Sequence, residues 1–263
     1  MGIEELDFHV AHSREELERA FRLVYRTYLR AGYLEAHPSE VRFGPHNFLP
    51  ATRTFVATLR NEVVATVTLV FDSPLGVPME SIYKAELEAL RHAGRRLVEV
   101  TMLADRRSIG PRTLPIVLRL TKILFDFARD QNPSDDLVIA VHPHHVAFYK
   151  RFLYFEALGP LRSYAGVRGN PAVALRLNIQ DVERRCSEDP RVGRLYLRIP
   201  TPPETFVDPV VLTSDDVMYF YGLMPEVLLS ASLCFRRVLQ GLYPPLSSVA
   251  VASPAAVASS KAV

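Results

Sequence analysis

The order of apolar patterns along the chain constrains its fold more than any other feature. Segments with strand-like alternation or short apolar runs are interleaved with segments whose apolar residues recur every three or four positions. "LDFHVAH" alternates. "SREELERAFRLVYRTYLRAG" then places Leu17, Phe21, Val24 and Tyr28 at helical spacing, with Ser13 and Glu16 as a capping box and Gly32 as a stop. "TRTFVATL" and "EVVATVTLVF" are strands joined by "RN", a tight hairpin turn. "MESIYKAELEALRHAG" is a short helix with Met79, Ile82, Tyr83, Leu87 and Leu90 on one face. "RRLVEVTMLA" is a strand, "RTLPIVLRLTKILFDFARD" a helix despite Pro115, and "DLVIAV" a buried strand. "HPHHVAFYKRFL" is a helix, followed by strands in "ALGPLRSY" and "AVALRLNI". The order β-α-β-β-α-β-α-β-α-β-β predicts an α/β fold, a central mixed twisted sheet flanked by helices.

Residues 1–177 are expected to form the core and 178–245 a mostly helical C-terminal extension packed on it. "TSDDVMYFYGL" opens that extension's helices with a strong cap. The small-residue stretch 246–263 is expected to be a disordered tail.

Bulk composition narrows the function classes. With 263 residues and 48% hydrophobic content, the chain can bury a large core. A formal net charge of +2 gives no general reason to expect nucleic acid as a partner. Two cysteines make neither a disulfide framework nor a metal-ligand set, which suits a reducing cytoplasm. The N-terminus lacks the apolar core of a secretory signal. The longest apolar run, Val217 to Phe235, is interrupted by Pro225 and Glu226. It reads as buried helix or acyl-chain wall, with peripheral membrane contact as the alternative.

Three constellations carry candidate chemistry. The first is the loop "RRSIGPR" between a strand and a helix. Its exposed amides at a helix N-terminus, with Arg106, Arg107, Gly110 and Arg112, suit a phosphate. An ordinary solvated loop is the competing reading. The loop lacks the Gly-Lys-Ser/Thr ending of a P-loop and the three glycines of a dinucleotide fingerprint. The second is "HPHHVAFYKRFLYFE", in which Tyr149 is a candidate proton donor and Phe148 and Phe152 fit a core stripe. His142, His144 and His145 lack a convincing fourth ligand, so no metal is expected. The third is Glu99, an acid set within an apolar strand. Strand alternation puts it on the face of Leu97 and Thr101. It is either a base with a raised pKa or half of an ion pair with Arg22 or Arg26.

The order strand, R-x-x-G loop, helix, short strand, then a helix with "FY" followed by "YFE" resembles the GNAT acyltransferase superfamily. "FRLVYRTYLRAGYL", "DSPLGVPMESIYKAELEALRHAGRRLVEVTMLA", "HPHHVAFYKRFLYFEALG" and "TSDDVMYFY" together resemble the long-chain N-acyl amino acid synthases, which are similar to the acyl-homoserine-lactone synthases. The resemblance spans about residues 5–245 and implies a GNAT-like acyltransferase fold. It implies transfer of a long-chain fatty acyl group from acyl carrier protein to the amino group of an amino acid. The donor, acyl-phosphopantetheine or acyl-CoA, would be a substrate, and no permanently bound cofactor is expected.

By the same resemblance, Glu99 would be the base and Tyr149 the acid. Backbone amides near Met102 and Leu103 would face the thioester oxygen. Arg106, Arg107, Gly110 and Arg112 would hold the donor's phosphate region, and Arg22, Tyr25 and Thr101 would bind substrate. The acyl chain would lie against the first helix and the C-terminal helices. Carrier protein would dock on a basic rim that includes Lys150 and Arg151. Departures from the relatives shape the expectation. Arginine at 112 replaces a small residue, which argues against acetyl-CoA. Met102 stands where the lactone synthases carry an arginine, and tryptophan is absent, so a lactone product is not expected. Two other classes remain open: an acyl-CoA-dependent N-acyltransferase acting on a small amine or a protein, and a non-catalytic thioester-binding module.

Overall fold

A computed structural model describes residues 3–106, 113–188, 196, 201–244 and 246. The strands β1 (Asp7–Val10), β2 (Arg53–Leu59), β3 (Glu62–Phe71), β4 (Leu97–Asp105), β5 (Asp136–Val141), β6 (Glu156–Tyr164) and β7 (Asn170–Asn178) form one sheet in the order β1-β2-β3-β4-β5-β7-β6. Neighbours are antiparallel except β4 and β5, which are parallel. The helices are α1 (Arg14–Arg30), α2 (Glu80–His92), α3 (Thr113–Asp126), α4 (Pro143–Phe152), α5 (Ile179–Glu188), α6 (Ser214–Leu223), α7 (Pro225–Ser230) and α8 (Leu233–Leu242). This is the mixed sheet flanked by helices that the sequence patterns predict. The tail from 247 lies outside the described residues.

Local sequence signals account for the turns. Arg60 and Asn61 both take positive φ, 50° and 64°, as the two-residue turn between β2 and β3 demands. At the end of α1, Gly32 (φ 76°) lets Tyr33 N–H reach the Tyr28 carbonyl (2.8 Å) and Gly32 N–H the Leu29 carbonyl (3.1 Å). That cap brings the Tyr28 and Tyr33 rings together edge to face, 5.7 Å apart. The expected capping box at the start of α1 is only half formed. Ser13 Oγ accepts from Glu16 N–H (3.2 Å), but the Glu16 carboxylate turns to His12 N–H and His9 Nε2, both at 2.9 Å. The box at α6 is complete, with Thr213 and Asp216 exchanging both bonds.

Strand alternation sorts the core onto two sides of the sheet. Val67, Leu69, Val98, Leu137, Ile139 and Leu175 pack against α3, whose Ile116, Leu120 and Ile123 are fully buried. Val70, Leu97, Val138 and Ala174 on the other side pack against α2 through Tyr83 and Leu87. The Tyr83 hydroxyl lies 2.8 Å from the Pro160 carbonyl and 2.7 Å from that of Ala172, tying α2 to β6 and β7. A third cluster joins α1 and the segment 41–48 to the C-terminal helices. Phe43 contacts Phe21, Phe48, Phe220 and Tyr221, with ring centroids 5.3–6.2 Å apart.

Candidate active site

The site is set by where two neighbouring strands stop pairing. β4 and β5 pair only through Leu97↔Asp136, Val98↔Leu137 and Glu99↔Val138. Beyond Glu99 the strands part, although β4 runs on to Asp105 and β5 to Val141. β3 stays paired to β4 across the parting, but with a bulge. Thr68 pairs with Thr101 and Thr66 with Ala104, so Val67 faces both Met102 and Leu103. Met102 takes φ 55°, a left-handed conformation that costs a side-chain-bearing residue about 1–2 kcal/mol. Asn47 Nδ2 holds the Met102 sulfur at 3.4 Å.

The bulge decides which amides face the opening. At one end of the ladder Asp72 N–H donates to the Leu97 carbonyl (3.0 Å); at the other, Arg106 N–H donates to that of Val64 (2.9 Å). Alternating inward from these ends turns Glu99, Thr101 and Ala104 toward β3; Val100 N–H meets the Val138 carbonyl in the last rung of the parallel pairing, and the Leu103 amide is left on the side of the parted strand. An unpaired strand amide aimed into a cleft is suited to a developing negative charge.

Two chambers meet at the opening and share Tyr28, Tyr33, Thr101, Met102, Ala140 and His142. The first, about 680 Å³, lies mainly on the α2 side and includes Glu99, Arg42 and Tyr164. The second, about 580 Å³, lies on the α3 and α4 side and is walled by Val100, Leu103, Ile139, Val117, Phe148 and Tyr149. The cleft therefore passes through the sheet. The apolar wall of the second chamber comes from β4, β5, α3 and α4. The C-terminal helices instead reach the first chamber, through Val227 and Ser230.

Glu99 is 2% exposed and has no cationic partner among the described residues. Its Oε2 accepts from Met79 N–H at 2.7 Å, at the start of α2. Burial pushes its pKa up to about 8, against the opposing pull of that hydrogen bond. The ion pair with the first helix does not form: Arg22 binds Glu18 (2.7 Å) and the Ser39 carbonyl (3.1 Å). Tyr28 stands where the chambers join. Burial pushes its hydroxyl up to about 12; Arg42 lowers it and Glu99 raises it further. Burial also raises Tyr149 and Tyr164.

Of the sequence-predicted site residues, the structure brings Glu99, Thr101, Met102, Leu103 and Tyr149 to the cleft. Arg22 and Tyr25 do not line it. Tyr25 is buried, its hydroxyl held by the His37 backbone at 2.9 and 3.2 Å. Arg106 is exposed at the end of β4. Arg107, Gly110 and Arg112 lie outside the described residues. His142 stacks on His144 with ring centroids 4.9 Å apart and meets His145 edge to face at 6.4 Å. Among the described residues no group of three or more His, Cys, Asp or Glu side chains is placed to hold a metal ion. Sequence reasoning missed Tyr28, Arg42, Tyr164 and the cleft role of His142. Only the Tyr28–Gly32–Tyr33 helix ending carried a local signal.

A family model described as N-acyl amino acid synthase FeeM matches residues 19–178. Among solved structures, FeeM itself, an N-acyl amino acid synthase from uncultured soil microbes, is 25% identical. That match covers 73% of this chain and 94% of FeeM, with a TM-score of 0.59. The CoA-dependent acyl-homoserine lactone synthase BjaI, solved with SAM and isopentyl-CoA, is 18% identical over 81% of this chain and 98% of its own, at TM-score 0.53. The AHL synthase LasI is 15% identical over 74% and 98%, at 0.51. These last two likenesses show the shared GNAT-like fold. No curated protein sequence matches the chain.

Proposed function

We propose, for a chain that belongs to the FeeM family of N-acyl amino acid synthases, that it moves a long-chain fatty acyl group from acyl carrier protein to the amino group of an amino acid. That the chain is an N-acyltransferase follows from the family; the donor and acceptor are our reading. The observation that carries it is the cleft through the sheet, with a buried carboxyl in one chamber and an apolar pocket with a tyrosine in the other. Such a cleft suits a reaction whose two substrates arrive from opposite sides.

In this reading the acyl chain occupies the second chamber and its carbonyl lies at the bulge, near the Leu103 amide. The acceptor amine enters the first chamber. Glu99, directly or through one water, takes a proton from the ammonium. The amine forms a C–N bond at the thioester carbonyl, the C–S bond then breaks, and the second proton of the new amide nitrogen passes to solvent, which in turn restores the Tyr149 hydroxyl. Tyr149 gives the leaving thiolate a proton. A thiol of pKa about 8.5 leaves with little help, so Tyr149→Phe is expected to lower kcat only about tenfold. Single-turnover amide formation checks this.

The mouth of the second chamber supports a carrier-bound donor. Leu114 and Phe152 line it and are 39% and 50% exposed. Lys150 and Arg151 stand exposed beside Phe152. An apolar lip with adjacent positive charge suits the acidic surface of a carrier protein. Reversing both charges, as Lys150→Glu with Arg151→Glu, is expected to lower kcat/KM for acyl carrier protein about tenfold at low salt. The same donor's acyl-CoA form should be much less affected, and added salt should shrink the difference. Steady-state kinetics with paired palmitoyl donors reads both.

The overall test is expression in a bacterial host followed by mass spectrometry of the extracted lipids. A new N-acyl amino acid is the expected result. Amides of simple amines alone, or no product alongside retained carrier binding, would overturn the proposal.

A further inference from the structure

The first chamber contains one arginine and no lysine among its described lining residues. That residue, Arg42, sits in the segment after α1, its backbone N–H bonded to the Phe21 carbonyl at 3.1 Å. Its guanidinium donates to the Gly166 carbonyl at 3.0 Å and has no carboxylate partner among the described residues. Three other partly buried arginines, on α2, just before β4 and on β6, are paired with carboxylates, while Arg53 on β2 binds only carbonyls. Arg91 binds Asp72 and Glu80, Arg95 binds Asp136, and Arg162 binds Glu86. Arg42 uses one bond where the guanidinium offers five donors.

The same chamber holds one acid among its described lining residues, Glu99. Tyr28 and Tyr164 both line it, and each senses the charge of Arg42 and that of Glu99, so these two groups serve one space. His46, also in the lining, is driven down to about 4 by burial and carries no charge near neutrality. A ligand that carries both an amine and an acidic group complements this pair. A simple alkylamine leaves Arg42 unmatched, and so does the N-terminus of a protein.

We infer that Arg42 anchors the acceptor's carboxylate, making the first chamber a subsite for amine–carboxylate zwitterions. The inference rests on the reading that this chamber admits the acceptor. Arg42 is here a specificity residue: it touches the acceptor's carboxylate and not the atoms whose bonds form or break.

The test pairs each amino acid with the amine that lacks its carboxylate: leucine with isopentylamine, and phenylalanine with phenethylamine. Palmitoyl-carrier protein and palmitoyl-CoA serve as donors. Wild-type protein is expected to acylate the amino acid in preference to its amine. Arg42→Gln should raise KM for the amino acid about 10- to 100-fold, the range for losing a charged hydrogen bond, with kcat within about threefold. Its kcat/KM for the amine should not change, and Arg42→Lys should fall between. Equal use of both acceptors by wild type, or an equal loss on both in Arg42→Gln, would overturn the inference. If wild type forms no amide from any amine, the proposed function fails. Saturation-transfer NMR of leucine then decides the subsite: signal in wild type and none in Arg42→Gln supports it, and any other pattern overturns it.

Discussion

Replacing Glu99 with Gln is expected to lower kcat by about 10²- to 10⁴-fold, the usual range for removing a general base, with much less change in donor binding. The side chain is 2% exposed and accepts one hydrogen bond, from Met79 N–H, which a glutamine oxygen also accepts. The substitution therefore removes the proton acceptor while keeping the contact. With its pKa near 8, wild-type kcat should climb with pH through that value, and the limb should vanish in Glu99→Gln. Retention of wild-type kcat across pH would remove Glu99 from the role of base.

The same pKa makes a stability prediction of opposite sign. The carboxyl's folded value, about 8, lies above its ordinary 4.5, so between these limits the folded state binds more protons than the unfolded state. Its contribution to stability is complete below about pH 4.5 and is lost as pH rises toward 8. Glu99→Gln should then raise the melting temperature at pH 8 and above, with the gain fading toward pH 5. A variant more stable and far less active is the pattern of a strained functional group. Thermal melts at several pH values measure it.

The second large effect is structural. Phe43→Ala is expected to cost about 3–5 kcal/mol, which for a chain of this size lowers the melting temperature by about 10 °C. Phe43 is 1% exposed and touches rings from α1, the short turn at Pro45–Phe48 and α6. It also lines the first chamber, next in sequence to Arg42. Loss of the ring should weaken acceptor binding along with the fold. Val211→Ala is the control: the residue is 85% exposed and its truncation should stay within about 0.5 kcal/mol. Differential scanning calorimetry with acceptor KM separates the two.

Both predictions depend on residues that were unequally visible beforehand. Glu99 was conspicuous because an acid breaks the apolar pattern of its strand. Its two readings, base or ion-pair member, looked alike in sequence; the Arg22–Glu18 pair and the Met79 hydrogen bond set the ion pair aside and leave the base for kinetics to test. Tyr149 was legible from the aromatic pair on its helix. Arg42 and Tyr164 gave no signal, since an arginine in an irregular segment and a tyrosine at a strand end suit solvent equally well. Glu16 erred in the other direction: its spacing from Ser13 fits a capping box, but His9 and His12 lay within reach and won the carboxylate.

By itself the sequence determined what depends on neighbours along the chain. Periodicity specified the strands and helices and their order, Arg60-Asn61 specified a hairpin turn, and Gly32 ended α1 where Tyr28 and Tyr33 meet. Tertiary structure alone decided where β4 and β5 cease to pair, which amides the bulge at Met102 frees, and that Arg42 and Glu99 share a chamber. Those features are contacts between segments far apart in the chain. No local period records them, because each side chain's environment is settled only when the sheet closes around it.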